Sequence, residues 1–123
     1  MTVIAIAVAG ALGALARYGL GGWIANRSRS AFPVETLVIN VSGSFFVGFV
    51  FVLLTERLLP HSALRTAITV GFLGAYTTYS TFSLETFRLI EDGALGLAVG
   101  NVLASIAAGL LAVFLGVVAG RAL

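Results

Sequence analysis

The chain of 123 residues has the length of one domain, but 59% of its residues are hydrophobic and 10% are charged, against about 25% charged in a typical soluble domain. This composition excludes a soluble globular protein and predicts an all-α integral membrane protein, with residues 1–123 forming a single domain. The chain has no cysteine, one histidine and a net charge of +2 supplied by arginine, which excludes a disulfide framework and argues against a metal cluster, a histidine-based enzyme or a nucleic-acid-binding protein.

Residues 3–24 form the first predicted membrane span, since about 20 apolar residues cross the hydrocarbon core of a bilayer. Arg17 lies inside this span, where an arginine costs about 2.5–3.5 kcal/mol on insertion scales. It is interpreted either as a structural anchor, which snorkels or caps carbonyls near a helix end, or as a cation that attracts an ion. We favour the anchor.

Residues 34–59 form the second predicted span. Asn40 lies in its first half, and its carboxamide needs a hydrogen-bond partner inside a membrane. Two interpretations are open: Asn40 joins two helices beside Gly43, or it lines a pore as a donor. The polar character of the third span favours the pore.

Residues 63–90 form the third predicted span, which is long for one straight helix. Its stretch from Gly71 to Ser83 combines glycines, hydroxylated residues and aromatic rings, a mixture of poor helix formers. We therefore expect two shorter helices with irregular backbone between them, which is tolerated at membrane depth only inside protein or beside a water-filled cavity. Glu85, beyond this break, is expected to line a vestibule or to pair with an arginine.

Residues 94–119 form the fourth predicted span. Asn101, Ser105 and Gly109 recur every four residues and make a polar stripe, which faces protein or water rather than lipid. Interhelical hydrogen bonding and pore lining both explain the stripe. The glycine pairs have the spacing of close helix contacts: Gly96 with Gly100, and Gly116 with Gly120.

Arginines are balanced between the two sides of the predicted bundle, so they give almost no orienting bias. One side carries Arg57, Arg65 and Arg121, and the other carries Arg27, Arg29 and Arg88, with Arg17 leaning toward it. A chain with this balance can insert in both directions, which suggests an antiparallel homodimer. Four helices are also few to enclose an ion path, and this independently favours a dimer.

Three motifs resemble those of the Fluc (CrcB-like) fluoride channels, and the similarity extends over the whole chain. The longest is the most specific. The motifs are Gly13-Ala14-Leu15-Ala16-Arg17-Tyr18, Thr36-Leu37-Val38-Ile39-Asn40 and Gly71-Phe72-Leu73-Gly74-Ala75-Tyr76-Thr77-Thr78-Tyr79-Ser80-Thr81-Phe82-Ser83.

The resemblance implies a dual-topology homodimer with two antiparallel fluoride pores and a structural sodium ion at its centre. Main-chain carbonyls of the family's broken third helix hold that ion, and they correspond here to Gly74 and Thr77. The family's pair of pore phenylalanines corresponds to Tyr79 and Phe82. Further pathway positions correspond to Asn40, Ser80, Thr81, Glu85, Asn101 and Ser105.

Three positions depart from the family pattern. Tyr79 stands where phenylalanine is usual, and it keeps the electropositive ring edge while adding a hydroxyl. Asn101 stands where the family often has tyrosine, and it could supply an amide donor instead. Ala75 stands where a second glycine is common, which is expected to stiffen the break.

The resulting expectation is a multi-pass channel in the plasma (inner) membrane of a prokaryote that exports fluoride passively. Its partners would be a second copy of the chain, the fluoride ion and the lipid bilayer. One rival is a proton-coupled exporter of the four-helix antiporter type, for which Glu85 is the candidate coupling carboxylate. Another is a non-transporting subunit of a larger complex, which offers no reason for a broken third span.

Overall fold

The computed structural model describes residues 1–58 and 61–123, and these residues contain helices and turns without any strand. The helices are α1 (Thr2–Ala25), α2 (Val34–Val52), α3 (Ser62–Thr66), α4 (Gly74–Tyr76), α5 (Tyr79–Glu91) and α6 (Leu95–Ala122). Two π-helical segments, Leu53–Arg57 and Ala67–Leu73, extend α2 and join α3 to α4. This all-helical chain has the character of an integral membrane protein.

Among the residues that the structure describes, three helices are long and apolar enough to cross a membrane: Thr2–Ala25, Val34–Arg57 and Leu95–Ala122, of 24, 24 and 28 residues. They correspond to the predicted spans 3–24, 34–59 and 94–119. The last residue of the second predicted span, Leu59, and the loop residue Pro60 lie outside the described residues.

The third predicted span, 63–90, consists of two shorter helical parts. The first part is continuous from α3 through the π-helical segment to Tyr76, and the second is α5. Between them Thr77 (φ −80°, ψ 157°) and Thr78 (φ −148°, ψ 113°) are extended. A glycine with φ +76°, Gly93, then makes the turn from α5 to α6.

Glycines allow α2 and α6 to pack with their backbones in contact. A methyl group at Gly48 would overlap the carbonyl of Val113, and one at Gly116 would overlap the carbonyl of Phe45. Gly120 lies against Val52 in the same way. Small residues at such positions are the usual means of close helix packing in membranes.

The two glycine pairs of the fourth span differ in their surroundings. Gly116 and Gly120 contact α2, whereas a methyl group added at Gly96 or Gly100 would meet no atom of the described residues within 4 Å. The first pair is therefore not used for packing within one chain. On the other side of the bundle, Gly13 of α1 lies against the carbonyl of Phe72.

Large apolar side chains cover the outside of the helices. Leu12, Leu15, Phe51, Leu103 and Phe114 are all more than half exposed. Such a surface suits a lipid environment, because hydrocarbon tails solvate these side chains as well as a protein core does. Several polar side chains, among them Asn40 and Thr36, lie instead between helices near the extended residues Thr77 and Thr78.

Candidate functional site

A cavity of about 380 Å³ opens beside the extended residues. We call it the aromatic cavity, because two rings form one of its walls. Its polar lining comes from three elements: the helix α2, the extended residues with the start of α5, and the helix α6. The lining residues are Asn40, Ser44, Val47, Thr77, Thr78, Tyr79, Phe82, Ser105, Ile106 and Val113.

The carboxamide of Asn40 holds the extended backbone at Thr78. Its Oδ1 accepts the Thr78 N–H at 2.8 Å, and its Nδ2 donates to the Thr78 carbonyl at 3.0 Å. One side chain of α2 thus satisfies both backbone groups of a residue that has left the helix. An amide nitrogen carries two hydrogens, so the second N–H of Asn40 is available to the cavity.

Two carbonyls beside the extended residues, those of Gly74 and Thr77, lose the N–H groups that would bond them in a helix. In a continuous helix the Gly74 carbonyl would accept from the N–H of Thr78, which here donates to Asn40. The Thr77 carbonyl would accept from the N–H of Thr81, which here donates to the hydroxyl of Thr78. Gly74 is exposed on the surface of the chain. Both carbonyls are hard oxygen donors of the kind that bind Na⁺ at broken helices.

Arg17 reaches the same region from α1. Its Nε donates to the carbonyl of Ala75 at 3.2 Å, so the guanidinium satisfies one carbonyl at the end of α4. A positive charge at a helix C-terminus also interacts favourably with the helix dipole.

Arg17 lines a second cavity, of about 260 Å³, which we call the vestibule cavity. Thr78 lines both cavities, so both border the extended backbone. The vestibule lining is Ala14, Arg17, Tyr18, Gly21, Glu35, Thr36, Ile39, Thr78, Thr81 and Glu85.

Glu85 is held by α2 rather than by an arginine. Its Oε1 accepts from the hydroxyl of the buried Thr36 at 2.9 Å, and its Oε2 is buried without a hydrogen-bond partner among the described residues. In the described part of the chain the ion pair found is Arg121–Glu56, which is exposed at one end of the bundle. Glu85 thus stays on the vestibule side.

The two predicted rings lie side by side at the start of α5. The ring centroids of Tyr79 and Phe82 are 5.9 Å apart and the ring planes are tilted by 43°. Tyr79 is 80% exposed, so its ring is free to meet an ion or a neighbouring chain. Ring edges carry partial positive charge and attract anions.

The hydroxyl groups of Thr78, Ser80 and Thr81, next to the two rings, have different roles. Thr78 caps α5: its Oγ1 accepts from the N–H of Thr81 at 3.3 Å and donates to the Thr81 hydroxyl at 2.9 Å. Thr81 lines the vestibule cavity. Ser80 is exposed, lines neither cavity, and lies 3.5 Å from the Thr78 hydroxyl.

The polar stripe of α6 is split in the same way. Ser105 lines the aromatic cavity, whereas Asn101 is 1% exposed and is not part of the described lining. The Nδ2 of Asn101 donates to the hydroxyl of Thr86 at 2.9 Å, and its Oδ1 accepts from Ser105 at 3.5 Å. Asn101 therefore faces α5 rather than either cavity.

Sequence reasoning missed several site residues, among them Thr36, Ser44, Thr78 and Thr86. A signal for two of them is present, since Thr36, Asn40 and Ser44 recur every four residues, the same spacing that marks the stripe of α6. Thr78 and Thr86 carry no comparable signal, because threonine is common throughout the third span.

A side-chain metal site is not formed by the described residues. Within 1–58 and 61–123 no group of three or more histidine, cysteine, aspartate or glutamate side chains could hold a metal ion.

Comparison with known proteins gives consistent matches along the chain. The family model described as CrcB-like protein, Camphor Resistance (CrcB), matches residues 4–117. A protein of Solibacter usitatus is 46% identical over 121 residues, covering 98% of this chain and 99% of the relative. One of Geotalea uraniireducens is 46% identical over 122 residues, covering 99% and 98%. One of Methylococcus capsulatus is 50% identical over 127 residues, covering 100% and 54%. All three relatives bear the name fluoride-specific ion channel FluC.

Proposed function

This chain belongs to the CrcB-like family, as its three motifs indicated, and we propose that it forms a fluoride-selective channel that releases fluoride passively from the cytoplasm. The family's curated relatives are named as ion channels, not enzymes. The observation that carries the proposal is the aromatic cavity, which an amide side chain, hydroxyls and two aromatic rings line beside an interrupted helix. We also propose a multi-pass position in the inner membrane of a prokaryote, which the apolar helices and the bacterial relatives support.

Fluoride is small and strongly hydrated, so a selective path must replace its water with donors and positive edges. Asn40 offers one uncommitted N–H, and Ser105 offers a hydroxyl whose present bond, at 3.5 Å, is long and readily exchanged. Tyr79 and Phe82 supply ring edges next to these donors. None of the four carries a charge, which avoids holding the anion too tightly to leave.

We propose that the ion passes from the vestibule cavity to the aromatic cavity at Thr78, which lines both. Arg17 supports anion entry on the vestibule side, where it offsets the carboxylates of Glu35 and Glu85. Ser80 and Thr81 serve this crossing through the cap of α5 rather than by lining the aromatic cavity. Glu85, whose carboxylate is held by the Thr36 hydroxyl, borders the path by which the fluoride ion approaches Thr78.

The channel is proposed to be an antiparallel homodimer of four-span subunits, with α3–α5 and the two residues between α4 and α5 forming the third, broken span. The balanced arginines support both insertions, and the exposed Tyr79 and Gly74 support a partner at the break. Single cysteines at Ser30 and at Ser62, in a chain that has none of its own, test the topology. Labelling of each cysteine from both membrane faces is expected, and labelling of each from one face alone rejects the antiparallel arrangement.

A structural Na⁺ is proposed where the two copies' breaks meet, held by the carbonyls of Gly74 and Thr77. Both carbonyls lack their helical N–H, and the described side chains form no metal site of their own, so the fit is to a hard cation bound by backbone oxygen. When bound, the ion would join the two subunits. Replacing Na⁺ by N-methyl-D-glucamine should lower the dimer's thermal stability, while an unchanged melting curve argues against the site.

Fluoride-electrode recordings from proteoliposomes test the channel directly. We expect fluoride release that requires valinomycin and a K⁺ gradient to carry compensating charge, with little release of chloride. Release no faster than from empty vesicles rejects the proposal.

A proton-coupled exporter remains the second candidate, because the Oε2 of Glu85 is buried without a partner among the described residues and could exchange a proton. Exchange of F⁻ for H⁺ moves two charges per cycle, so both candidates need valinomycin and the discriminator is proton movement. Proton uptake coupled to fluoride release, with release driven by a pH gradient and abolished by Glu85→Gln, would favour the exporter, whereas release without proton uptake favours the channel.

A further inference from the structure

The contact between α5 and α6 contains a partly buried chain of hydrogen bonds. Ser105 donates to Asn101 Oδ1 at 3.5 Å, Asn101 Nδ2 donates to Thr86 Oγ1 at 2.9 Å, and Thr86 Oγ1 donates to the carbonyl of Phe82 at 2.8 Å. The chain begins at one residue of the aromatic cavity and ends at the backbone of another. Its two middle members, Asn101 and Thr86, line neither cavity.

The bond from Thr86 acts on the backbone of α5. A threonine hydroxyl that bonds the carbonyl four residues earlier competes with the helical N–H and often bends the helix. Donation from Asn101 polarises the Thr86 hydroxyl and strengthens this bond, because hydrogen bonds in series reinforce one another in a low dielectric. Helix α5 is thereby held at Phe82 by a residue of α6.

The same amide also sets the state of Ser105. Asn101 and Ser105 lie one turn apart on one face of α6, and the serine hydrogen points along the helix to Asn101 Oδ1. At 3.5 Å this bond is weak, so the hydroxyl can rotate toward an anion at small cost. Asn101 thus orients the Ser105 hydroxyl and still leaves it able to bind an anion.

We propose that Asn101 and Thr86 are positioning residues that set the distance between the Phe82 ring and the Ser105 hydroxyl across the aromatic cavity. Asn101 is then not an anion ligand, although it stands at a position of the polar stripe. At 1% exposure Asn101 offers almost no surface to an ion, and its Nδ2 and Oδ1 are each bonded to a neighbouring side chain. The inference rests on the proposed fluoride conduction.

Fluoride flux per folded dimer in proteoliposomes tests the inference with three changes. Thr86→Val keeps the shape of the side chain and removes both of its bonds, Thr86→Ser keeps the hydroxyl, and Asn101→Leu removes the amide. The matched control is Thr69→Val, which removes a hydroxyl bonded to Arg65 O at 2.9 Å in its own helical segment. If Thr86→Val is not recovered as folded protein, Thr86→Ala is compared with Thr86→Ser, since these two variants differ by the hydroxyl alone.

Loss of one positioning hydrogen bond should lower flux about fivefold in Thr86→Val and in Asn101→Leu. Thr86→Ser and Thr69→Val should conduct like the parent. The double change should be no worse than either single change, because both remove the same link. A fall in flux with normal yield and melting temperature separates positioning from simple stability.

Equal flux in Thr86→Val and the parent overturns the inference. So does a large loss in Asn101→Leu alone, which would make Asn101 a direct anion ligand. A parent that carries no fluoride rejects the proposed function, and the inference with it, whereas a conducting parent with unaffected variants rejects the inference alone.

Discussion

Replacing Asn40 by leucine removes the side chain that holds the interrupted helix. Leucine has similar bulk and belongs in a membrane helix, so the change isolates the loss of the carboxamide. The N–H of Thr78, now bonded at 2.8 Å, and its carbonyl, bonded at 3.0 Å, both lose their partner.

The size of the effect follows from these two groups. A buried donor or acceptor left without a partner costs about 1–3 kcal/mol, so two of them cost about 2–6 kcal/mol. Thr78 is half-buried and lines both cavities, so water can replace part of the lost bonding. We therefore expect a decrease in the free energy of unfolding near the lower end, about 2 kcal/mol.

Equilibrium unfolding in mixed detergent micelles, followed by circular dichroism, measures this decrease. The control is Thr55→Val, which removes a hydroxyl bonded to Phe51 O in its own helical segment and should change the unfolding free energy by less than about 0.5 kcal/mol. If Asn40→Leu is as stable as this control, the carboxamide does not hold the break and the reasoning is refuted.

Three further changes test other parts of the structure. Gly116→Ala should destabilise the fold by about 1–3 kcal/mol, because the new methyl meets backbone atoms of α2 that cannot rotate away, whereas Gly96→Ala should be neutral or slightly stabilising in the same melts. Arg17→Gln should reduce fluoride flux about tenfold or more, since the vestibule cavity then keeps two carboxylates without their cation, and flux unchanged at low ionic strength would contradict this role. Tyr79→Phe keeps a ring next to Phe82 and should conduct within about threefold of the parent; a larger loss would show that the phenol hydroxyl belongs to the route.

The positions of the long helices follow from apolar run length alone. The ends of Thr2–Ala25, Val34–Arg57 and Leu95–Ala122 lie within three residues of the predicted spans, because the bilayer imposes a minimum apolar length and the loops carry the charges. Within Gly71–Ser83, Thr77 and Thr78 have extended rather than helical backbone angles.

The partner of each polar side chain was not predictable in the same way. A four-residue stripe says that Asn101 and Ser105 share a face, but it does not say which neighbour covers which part of that face. Ser105 meets a cavity and Asn101 meets Thr86 because α5 packs against only the first part of α6. The pair Gly96 and Gly100 makes no close contact with the described residues for the same reason. The spacing of two glycines shows that close packing is possible, and the fold determines which helix, if any, packs there.

The interrupted segment depends on side chains that the ribosome has already made. Arg17 and Asn40, which bind Ala75 O and the backbone of Thr78, both precede residues 77 and 78 in the chain. Because synthesis proceeds from the N-terminus, α1 and α2 enter the membrane before residues 77 and 78. Arg17 and Asn40 are then already in place to bind the extended segment. Asn101 arrives last and closes against Thr86. The chain is therefore made in a fixed order, in which the extended backbone of Thr77 and Thr78 follows Arg17 and Asn40, the side chains that bind this region.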